Sequence, residues 1–320
     1  MKLAFLIESP ERFKIEKDTS FALMLKAQEM GHEISIFERG SMTYLENTLY
    51  IDHRRVRVTD SREHPFDFET MQRNQAAQFD VIWIRTDPPF DHQYLMDTWL
   101  LSLPAITASA HRPKPWVVNS PAGLRTVNEK VWAAQFGSLT PVTLLTTNRT
   151  DFRNFLHNHE KVVLKPANGF GGSSIFVTSR SDPNANALFE NLAHSGLVII
   201  QEYLPAATQG DKRILLVDGE VLGAVLRLHS ADDHRNNFAA GGKAQKAEVT
   251  ERDLMIVRSI KPALLELELF FVGIDVIGEK LIEVNVTSPT CLREMQQYYA
   301  EDLAKIVIQK LEQKLSDERN

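Results

Sequence analysis

The chain has 320 residues, more than one compact core usually fills, so two or three domains are expected. A net charge of -6 and a pI near 6.0 exclude nucleic acid as the main partner, because phosphate backbones need a basic footprint. One cysteine, Cys291, rules out an internal disulfide, and no apolar run is long enough for a signal-peptide core or a bilayer span, so the chain reads as cytoplasmic with no membrane partner.

The first third alternates strands and helices. Residues 3–7 form a continuous apolar run, the mark of a buried parallel strand. Asp18 or Thr19 caps a helix carrying Phe21 and Leu25 that stops near Gly31, and residues 33–37 form the next strand of a βαβ unit. Residues 43–58, broken at Glu46-Asn47-Thr48, read as a β-hairpin. Residues 79–85 form another buried strand ending at Arg85, followed by the rigid Thr86-Asp87-Pro88-Pro89-Phe90-Asp91, and Val117-Val118-Asn119 is a short strand.

Beyond Ser120-Pro121 the pattern changes to antiparallel pairs. Residues 162–165 pair with 174–177, and residues 213–217 pair with 221–228 across Asp218-Gly219. Residues 271–277 pair with 281–286, and the tail from Ala300 reads as one amphipathic helix. The whole is α/β followed by α+β.

The glycine loop Lys165-Pro166-Ala167-Asn168-Gly169-Phe170-Gly171-Gly172-Ser173-Ser174 joins two strands. Its exposed N–H groups can cradle phosphate, but no Gly-Lys-Ser/Thr closes it and no helix follows, so it is neither a Walker nor a Rossmann loop. Lys165 ends an apolar strand and needs an anion; Lys130 is a second candidate. The buried strand Val198-Ile199-Ile200-Gln201-Glu202-Tyr203-Leu204 has a polar exit whose backbone can pair with an adenine edge while Glu202 or a neighbour reaches ribose; an ordinary core strand has the same pattern.

Arg85, Arg213 and Arg227 lie in strands or at their ends, and Arg235 lies in the polar stretch before Asn237-Phe238-Ala239-Ala240-Gly241-Gly242. Single arginines are usually solvated, but four so placed suit a doubly anionic substrate held against a nucleotide. The Ala-Ala-Gly-Gly end suits a closing lid.

The hairpin around Gly278-Glu279-Lys280, read with a three-residue loop, sets Asp275 opposite Glu283 and Gly273 opposite Asn285. The other face, Val272, Ile274, Val276, Ile282, Val284 and Val286, is apolar. A plain amphipathic hairpin shows the same alternation, but an aspartate opposite a glutamate destabilises a sheet unless a cation lies between them. Two carboxylates and an amide oxygen suit Mg²⁺. A two-residue turn would instead turn Asp275 onto the apolar face.

Together these segments resemble the bacterial (prokaryotic-type) glutathione synthetases, a branch of the ATP-grasp ligases. The likeness is carried by Lys17-Asp18-Thr19-Ser20, Arg85-Thr86-Asp87-Pro88-Pro89-Phe90-Asp91, Asn119-Ser120-Pro121, Asn128-Glu129-Lys130, the glycine loop, Gln201-Glu202-Tyr203-Leu204-Pro205, Gly210-Asp211-Lys212-Arg213, the residues 237–242, Phe271-Val272-Gly273-Ile274-Asp275-Val276-Ile277-Gly278, and Glu283-Val284-Asn285-Val286-Thr287-Ser288-Pro289-Thr290-Cys291.

The resemblance implies an ATP-grasp fold behind a doubly wound (Rossmann-like) domain. The divisions would be a pre-ATP-grasp domain at 1–121, a lid at 122–203 and a core at 204–320. It implies ATP-dependent ligation of γ-glutamylcysteine and glycine through an acyl phosphate. Mg²⁺, with Mn²⁺ as substitute, would be held by Asp275, Glu283 and Asn285. ATP would be held by Lys130, Lys165, Asn168, Gly169, Phe170, Gly171, Gly172, Ser173, Gln201, Glu202, Tyr203, Leu204 and Asp211. Arg85, Arg213, Arg227, Arg235 and Asn237 would bind the peptide, with Arg213, Arg227 and Arg235 acting on the acyl phosphate. A homo-tetramer is implied as well, and Cys291 is left as a small packed residue. Glu8 stands where the family has an aspartate, residues 228–234 lack an expected glycine pair, and Asn236 replaces a glycine. These departures leave open another ATP-grasp carboxylate-amine ligase with a different acid or amine. A non-catalytic nucleotide-binding module is a further alternative, against which the retained metal acids speak.

Overall fold

The computed structural model describes residues 1–103, 115–169, 174–228 and 243–319. In the N-terminal sheet, β1 (Lys2–Ile7) is buried from Leu3 onward and lies between two parallel neighbours, β2 (Glu33–Glu38) and β7 (Val81–Ile84). The crossover to β2 is α1 (Thr19–Glu29), capped by Asp18, whose carboxylate accepts from Phe21 N at 2.7 Å. β3 (Met42–Leu45) and β4 (Thr48–Val58) form the expected hairpin, with Glu46 and Asn47 both at positive φ, as a type I′ turn requires. β4 also pairs with β5 (Phe66–Phe68), too short to show in the sequence pattern, and β6 (Gln72–Gln75), too polar to show there. α2 (His92–Leu100) starts at its N-cap Asp91, and β8 (Trp116–Val118) extends the sheet beside β7 before α3 (Pro121–Thr126). The path of the sheet is β3-β4-β2-β1-β7-β8. The strand order reverses between β1 and β7, and in such sheets the crevice at the carboxyl ends of those strands is where ligands bind.

The second sheet runs β11-β10-β12-β9 and is antiparallel. Its strands are β9 (Thr143–Thr146), β10 (Lys161–Pro166), β11 (Phe176–Ser179) and β12 (Val198–Glu202), covered by α4 (Arg149–Asn158) and α5 (Ala185–His194). The glycine loop joins β10 to β11.

The third sheet runs β15-β14-β13-β16-β17. It contains β13 (Asp211–Val217), β14 (Glu220–Leu228), β15 (Lys243–Lys246), β16 (Phe271–Ile277) and β17 (Lys280–Asn285), with α6 (Glu251–Glu266), α7 (Leu292–Gln296) and α8 (Leu303–Arg319) around it. Here one expectation needs correcting. The β16–β17 turn has two residues, since Ile277 pairs with Lys280, with Gly278 at φ +59 as the first of them. Asp275 nevertheless stands opposite Glu283 and Gly273 opposite Asn285, because the register shifts between Asp275 and Val276. Ile282 is the extra residue of that bulge, and Leu281, fully buried opposite Val276, takes its place on the apolar face. The β13–β14 hairpin repeats the device: a two-residue Asp218-Gly219 turn and a shift after Leu215 together bring Asp211 opposite Arg227.

The packing divides differently from the sheets. Two apolar clusters each draw on both the first and third sheets: one joins Phe5 and Trp83 to Leu215, Phe271 and α8, the other joins Leu6 and Ile82 to Ile214, Val272 and α6. The second sheet has a cluster of its own, with Phe152, Phe189, Val162, Leu164 and Ile200. No described helix is long and apolar enough to cross a membrane.

Candidate functional site

Arg85 follows β7 at the crevice where the strand order reverses. Its backbone N–H is held by Leu6 O at 2.8 Å, its Nε donates to Ser20 Oγ at 2.8 Å and its Nη2 to Pro289 O at 3.0 Å. The guanidinium is thus buried between the first domain and the loop that follows β17. Burial lowers its pKa, against the pull of Asp18 and Asp87. No carboxylate lies within ion-pair distance of it among the described residues, which is costly for a buried cation unless an anionic ligand arrives.

Arg213 and Arg227 are buried on β13 and β14, and the register gives both of them acids. Arg213 grips Asp275 with Nε and, at 2.9 Å, with Nη2. Arg227 grips Asp211 with Nε at 2.9 Å and with Nη2, and its Nη2 also reaches Asp275 Oδ2 at 2.9 Å. Two guanidinium groups and two carboxylates form a neutral, bidentate square inside the core sheet. Burial disfavours the Asp275 anion, but Arg213 and Arg227 outweigh it and hold its carboxyl well below the usual range.

Beside the square lie Glu283 and Asn285. Asn285 Nδ2 donates to Gly273 O at 3.2 Å and Asp275 Oδ2 at 3.4 Å, leaving Oδ1 as acceptor. Glu283 meets Lys130 Nζ at 3.5 Å. No group of three or more His, Cys, Asp or Glu side chains able to hold a metal occurs among the described residues. Two carboxylates and an amide oxygen are instead the incomplete hard set that Mg²⁺ completes with water and phosphate oxygens. The donor chemistry therefore fits magnesium, with Asp275 shared between any such ion and the arginines.

Lys165, at the end of β10, is buried, and desolvation lowers its pKa to about 8, with Lys130 adding to the fall and Glu283 opposing it. Lys130 Nζ donates to Gly169 O, and Asn128 Nδ2 reaches Ala167 O at 3.3 Å and Asn168 Oδ1 at 3.5 Å. Two lysines thus converge where the glycine loop faces the hairpin.

At the far end of the lid sheet, Gln201 Nε2 donates to Thr143 Oγ1 at 2.9 Å and Tyr203 N donates to Lys161 O at 3.0 Å. Glu202 Oε1 accepts from Val142 N at 2.9 Å, so that oxygen braces β9 rather than standing free for a ribose. Leu204 leads into a 3-10 turn, Pro205–Gln209. Phe170, Gly171, Gly172, Ser173, Arg235, Asn236 and Asn237 lie outside the described residues.

Several groups at the site are given no site role by the sequence. Glu129 brackets β17. Gly273 lies under Arg213, where a Cβ would come within 3.2 Å of Arg213 Cδ and 3.0 Å of Pro289 Cβ. Asp18 is pushed up to about 6 by burial, against its bond from Phe21 N and the charge of Arg85. Glu294, on α7, has a buried Oε2 without a hydrogen-bond partner. Only Asp18 announces itself, and only as a helix cap. Cys291 is fully buried and its thiol pKa is raised by that burial, as a packed residue requires.

Comparison with known proteins gives the family and the fold. The description "Prokaryotic glutathione synthetase, N-terminal domain" matches residues 1–125, and "Prokaryotic glutathione synthetase, ATP-grasp domain" matches residues 129–300. The chain is 37% identical over 321 residues to the glutathione synthetase of Escherichia coli (strain K12), covering 99% of this chain and 100% of that relative. It is 36% identical over 323 residues to that of Yersinia pestis, covering 100% of this chain and 99% of the relative. Among solved structures it is similar to the D-cycloserine synthetase DcsG, with a TM-score of 0.67 and 14% identity, covering 98% and 99% of the two chains. It is also similar to the ATP-grasp ligase PsnB complexed with minimal precursor, Mg, and ADP, with a TM-score of 0.59 and 15% identity, covering 98% of each. At those identities the structures bear on the fold alone, and the fold is ATP-grasp. The chain belongs to the prokaryotic glutathione synthetase family, an N-terminal domain followed by an ATP-grasp ligase domain.

Proposed function

We infer that this chain is an ATP-dependent ligase that joins γ-glutamylcysteine to glycine, giving glutathione, ADP and phosphate. Family membership over the full length supports the reaction. The observation that carries the site is Arg85, a buried guanidinium at the switch-point crevice with no carboxylate partner among the described residues, lying against the loop after the Glu283–Asn285 strand.

The cysteinyl carboxylate oxygen attacks the γ-phosphorus of ATP, and the bond from that phosphorus to the bridging oxygen breaks as ADP leaves. The glycine nitrogen then attacks the carbonyl carbon of the acyl phosphate, phosphate departs with the bonding pair, and the amine gives up a proton. Arg85 receives a substrate carboxylate; Asp18 and Glu294 are the acidic groups on the same wall, suited to the peptide ammonium. Arg213 and Arg227 are fixed in advance by Asp275 and Asp211, so their remaining donors meet developing phosphoryl charge without reorganising. Lys130 and Lys165 contact the ATP phosphates under the loop from Asn168 and Gly169 through Phe170, Gly171, Gly172 and Ser173. Gln201, Glu202, Tyr203 and Leu204 lie along the adenine, with Asp211 on the nucleotide side. Arg235 and Asn237 complete the peptide grip. Closure over the acyl phosphate protects it from hydrolysis. Magnesium, or manganese in its place, would be held by Glu283 and Asn285 with a share of Asp275 and would offset phosphate charge. We propose the divisions 1–121, 122–203 and 204–320; the separate hydrogen bonding of the three sheets supports them. A reducing cytoplasm suits a chain whose one cysteine is buried, and a homo-tetramer is the assembly that the family likeness supports.

The test is ADP release by purified protein. Turnover should need γ-glutamylcysteine, glycine and Mg·ATP together. No ADP with that mixture, or faster release with another acid and amine, would overturn the reading.

A further inference from the structure

The segment Asn128-Glu129-Lys130 lies between α3 and the rest of the ligase domain, and the reaction described above uses only its lysine. Its other groups address two elements. On the lid side, Asn128 Nδ2 donates to Ala167 O at 3.3 Å and Lys130 Nζ donates to Gly169 O. On the hairpin side, Glu129 O accepts from Val284 N at 2.9 Å. A single carboxylate oxygen, Glu129 Oε1, then accepts from Val286 N at 2.9 Å, Thr287 N at 3.1 Å and Thr287 Oγ1 at 2.8 Å. Asn128 Oδ1 ties the segment to itself by accepting from Lys130 N at 3.1 Å and Val131 N at 3.0 Å.

β17 is the edge strand of its sheet. The N–H groups on the outer side of an edge strand have no ladder partner and need other acceptors. Here they belong to Val284 and Val286, which alternate with Glu283 and Asn285, the residues whose side chains face the site. Residue 129 supplies both acceptors, one from its backbone and one from its side chain. It therefore does the work of a sixth strand over the two residues that matter, and the next residue in the chain, Lys130, reaches Glu283 itself at 3.5 Å.

We propose that Glu129 is a positioning residue for the metal site: it locks the edge strand carrying Glu283 and Asn285 in place. The proposal rests on reading Glu283 and Asn285 as metal ligands. Magnesium demands near-ideal octahedral geometry, so a strand edge free to shift or fray loses affinity even with both ligands present. Partners that orient metal ligands typically contribute about 10- to 100-fold to metal affinity.

The experiment uses the full chain without turnover. Mn²⁺ binding is followed by the loss of the free-ion electron paramagnetic resonance signal in the presence of a non-hydrolysable ATP analogue. Affinity for the same analogue is measured separately in EDTA. Glu129→Ala should weaken Mn²⁺ binding by about tenfold while metal-free nucleotide affinity stays within about twofold. Glu129→Gln, which keeps an acceptor oxygen in place, should recover most of the loss. Glu283→Ala is the control on the reading beneath. If Glu283→Ala weakens Mn²⁺ binding and a folded Glu129→Ala does not, the positioning role is overturned while the metal assignment stands. If neither changes it, the metal assignment fails and takes the proposal with it. An equal loss of metal-free and metal-loaded binding in Glu129→Ala also overturns it, as the defect would then be general. Should Glu129→Ala not fold, Thr287→Val removes one donor to the same oxygen. A threefold loss of Mn²⁺ affinity then supports the proposal, and wild-type affinity overturns it.

Discussion

Asp18 shows how a residue can be plain in the sequence and still hide its main property. A cap ahead of an apolar helix is readable, and the carboxylate does accept from Phe21 N. Its burial beside Arg85 and Asp87 depends on how the first domain meets the loop after β17, which no local pattern contains. Because burial pushes its pKa from 3.8 to about 6, the native state keeps its proton to higher pH than the unfolded chain does. The stabilisation is therefore full below about pH 4 and lost as pH rises through 6, a change of roughly 2–3 kcal/mol. Asp18→Asn keeps the cap and removes the titration. Its Tm relative to the wild type should climb between pH 4 and pH 7 and then level off. A Tm difference that is flat over that range would show that Asp18 titrates normally. The arginines show the opposite: nothing beside Arg213 and Arg227 in the sequence marks their partners, and only the register sets Asp275 and Asp211 opposite them. Glu129 stands in the Asn128-Glu129-Lys130 segment that carries the family likeness, but one acid beside a lysine has no spacing that states its role.

At the scale of elements, the strand pairs were legible and their turns were not. Alternation of apolar and polar residues specifies which faces are buried, because a one-residue slip would put acids into the core. It does not say where the extra residue of a bulge sits. The chain from Asp275 to Glu283 fits either a three-residue loop or a two-residue turn with a bulge, and both satisfy the same burial. The structure uses the second in both core hairpins, and each time a bulge completes a set of facing charges. Gly273 belongs to the same design. It lies in a strand, where glycine is disfavoured, because Arg213 and Pro289 occupy the space a side chain would take. Gly273→Ala should displace the Arg213 guanidinium and lower kcat by about 10- to 100-fold, for a stability loss of only about 1–3 kcal/mol. Steady-state kinetics beside a thermal melt decides this: an unchanged kcat in a stable variant would mean that Arg213 tolerates the methyl group and that its placement is not critical.

At the scale of the molecule, three sheets share their packing unevenly. Residues 1–121 and the third sheet look like separate units in sequence because they differ in style, parallel against antiparallel. Hydrophobic contact ignores that distinction, and two clusters run across both. The second sheet keeps its apolar residues to itself. Among the described residues, the segment 128–130 ties it to the hairpin through polar contacts alone. A unit with its own core can lose that core without melting its neighbours. Phe152 and Phe189 stack at 4.6 Å in the middle of it, and Phe152→Ala should cost the lid about 3–5 kcal/mol. Trp83, Trp99 and Trp116 precede residue 122, and Trp132 packs against the cluster shared by the first and third sheets, so tryptophan fluorescence reports on the molecule outside the second sheet. In the variant, far-UV circular dichroism should acquire an early thermal transition that tryptophan fluorescence does not follow. Coincident curves displaced together would instead mean that lid and body melt as one cooperative unit.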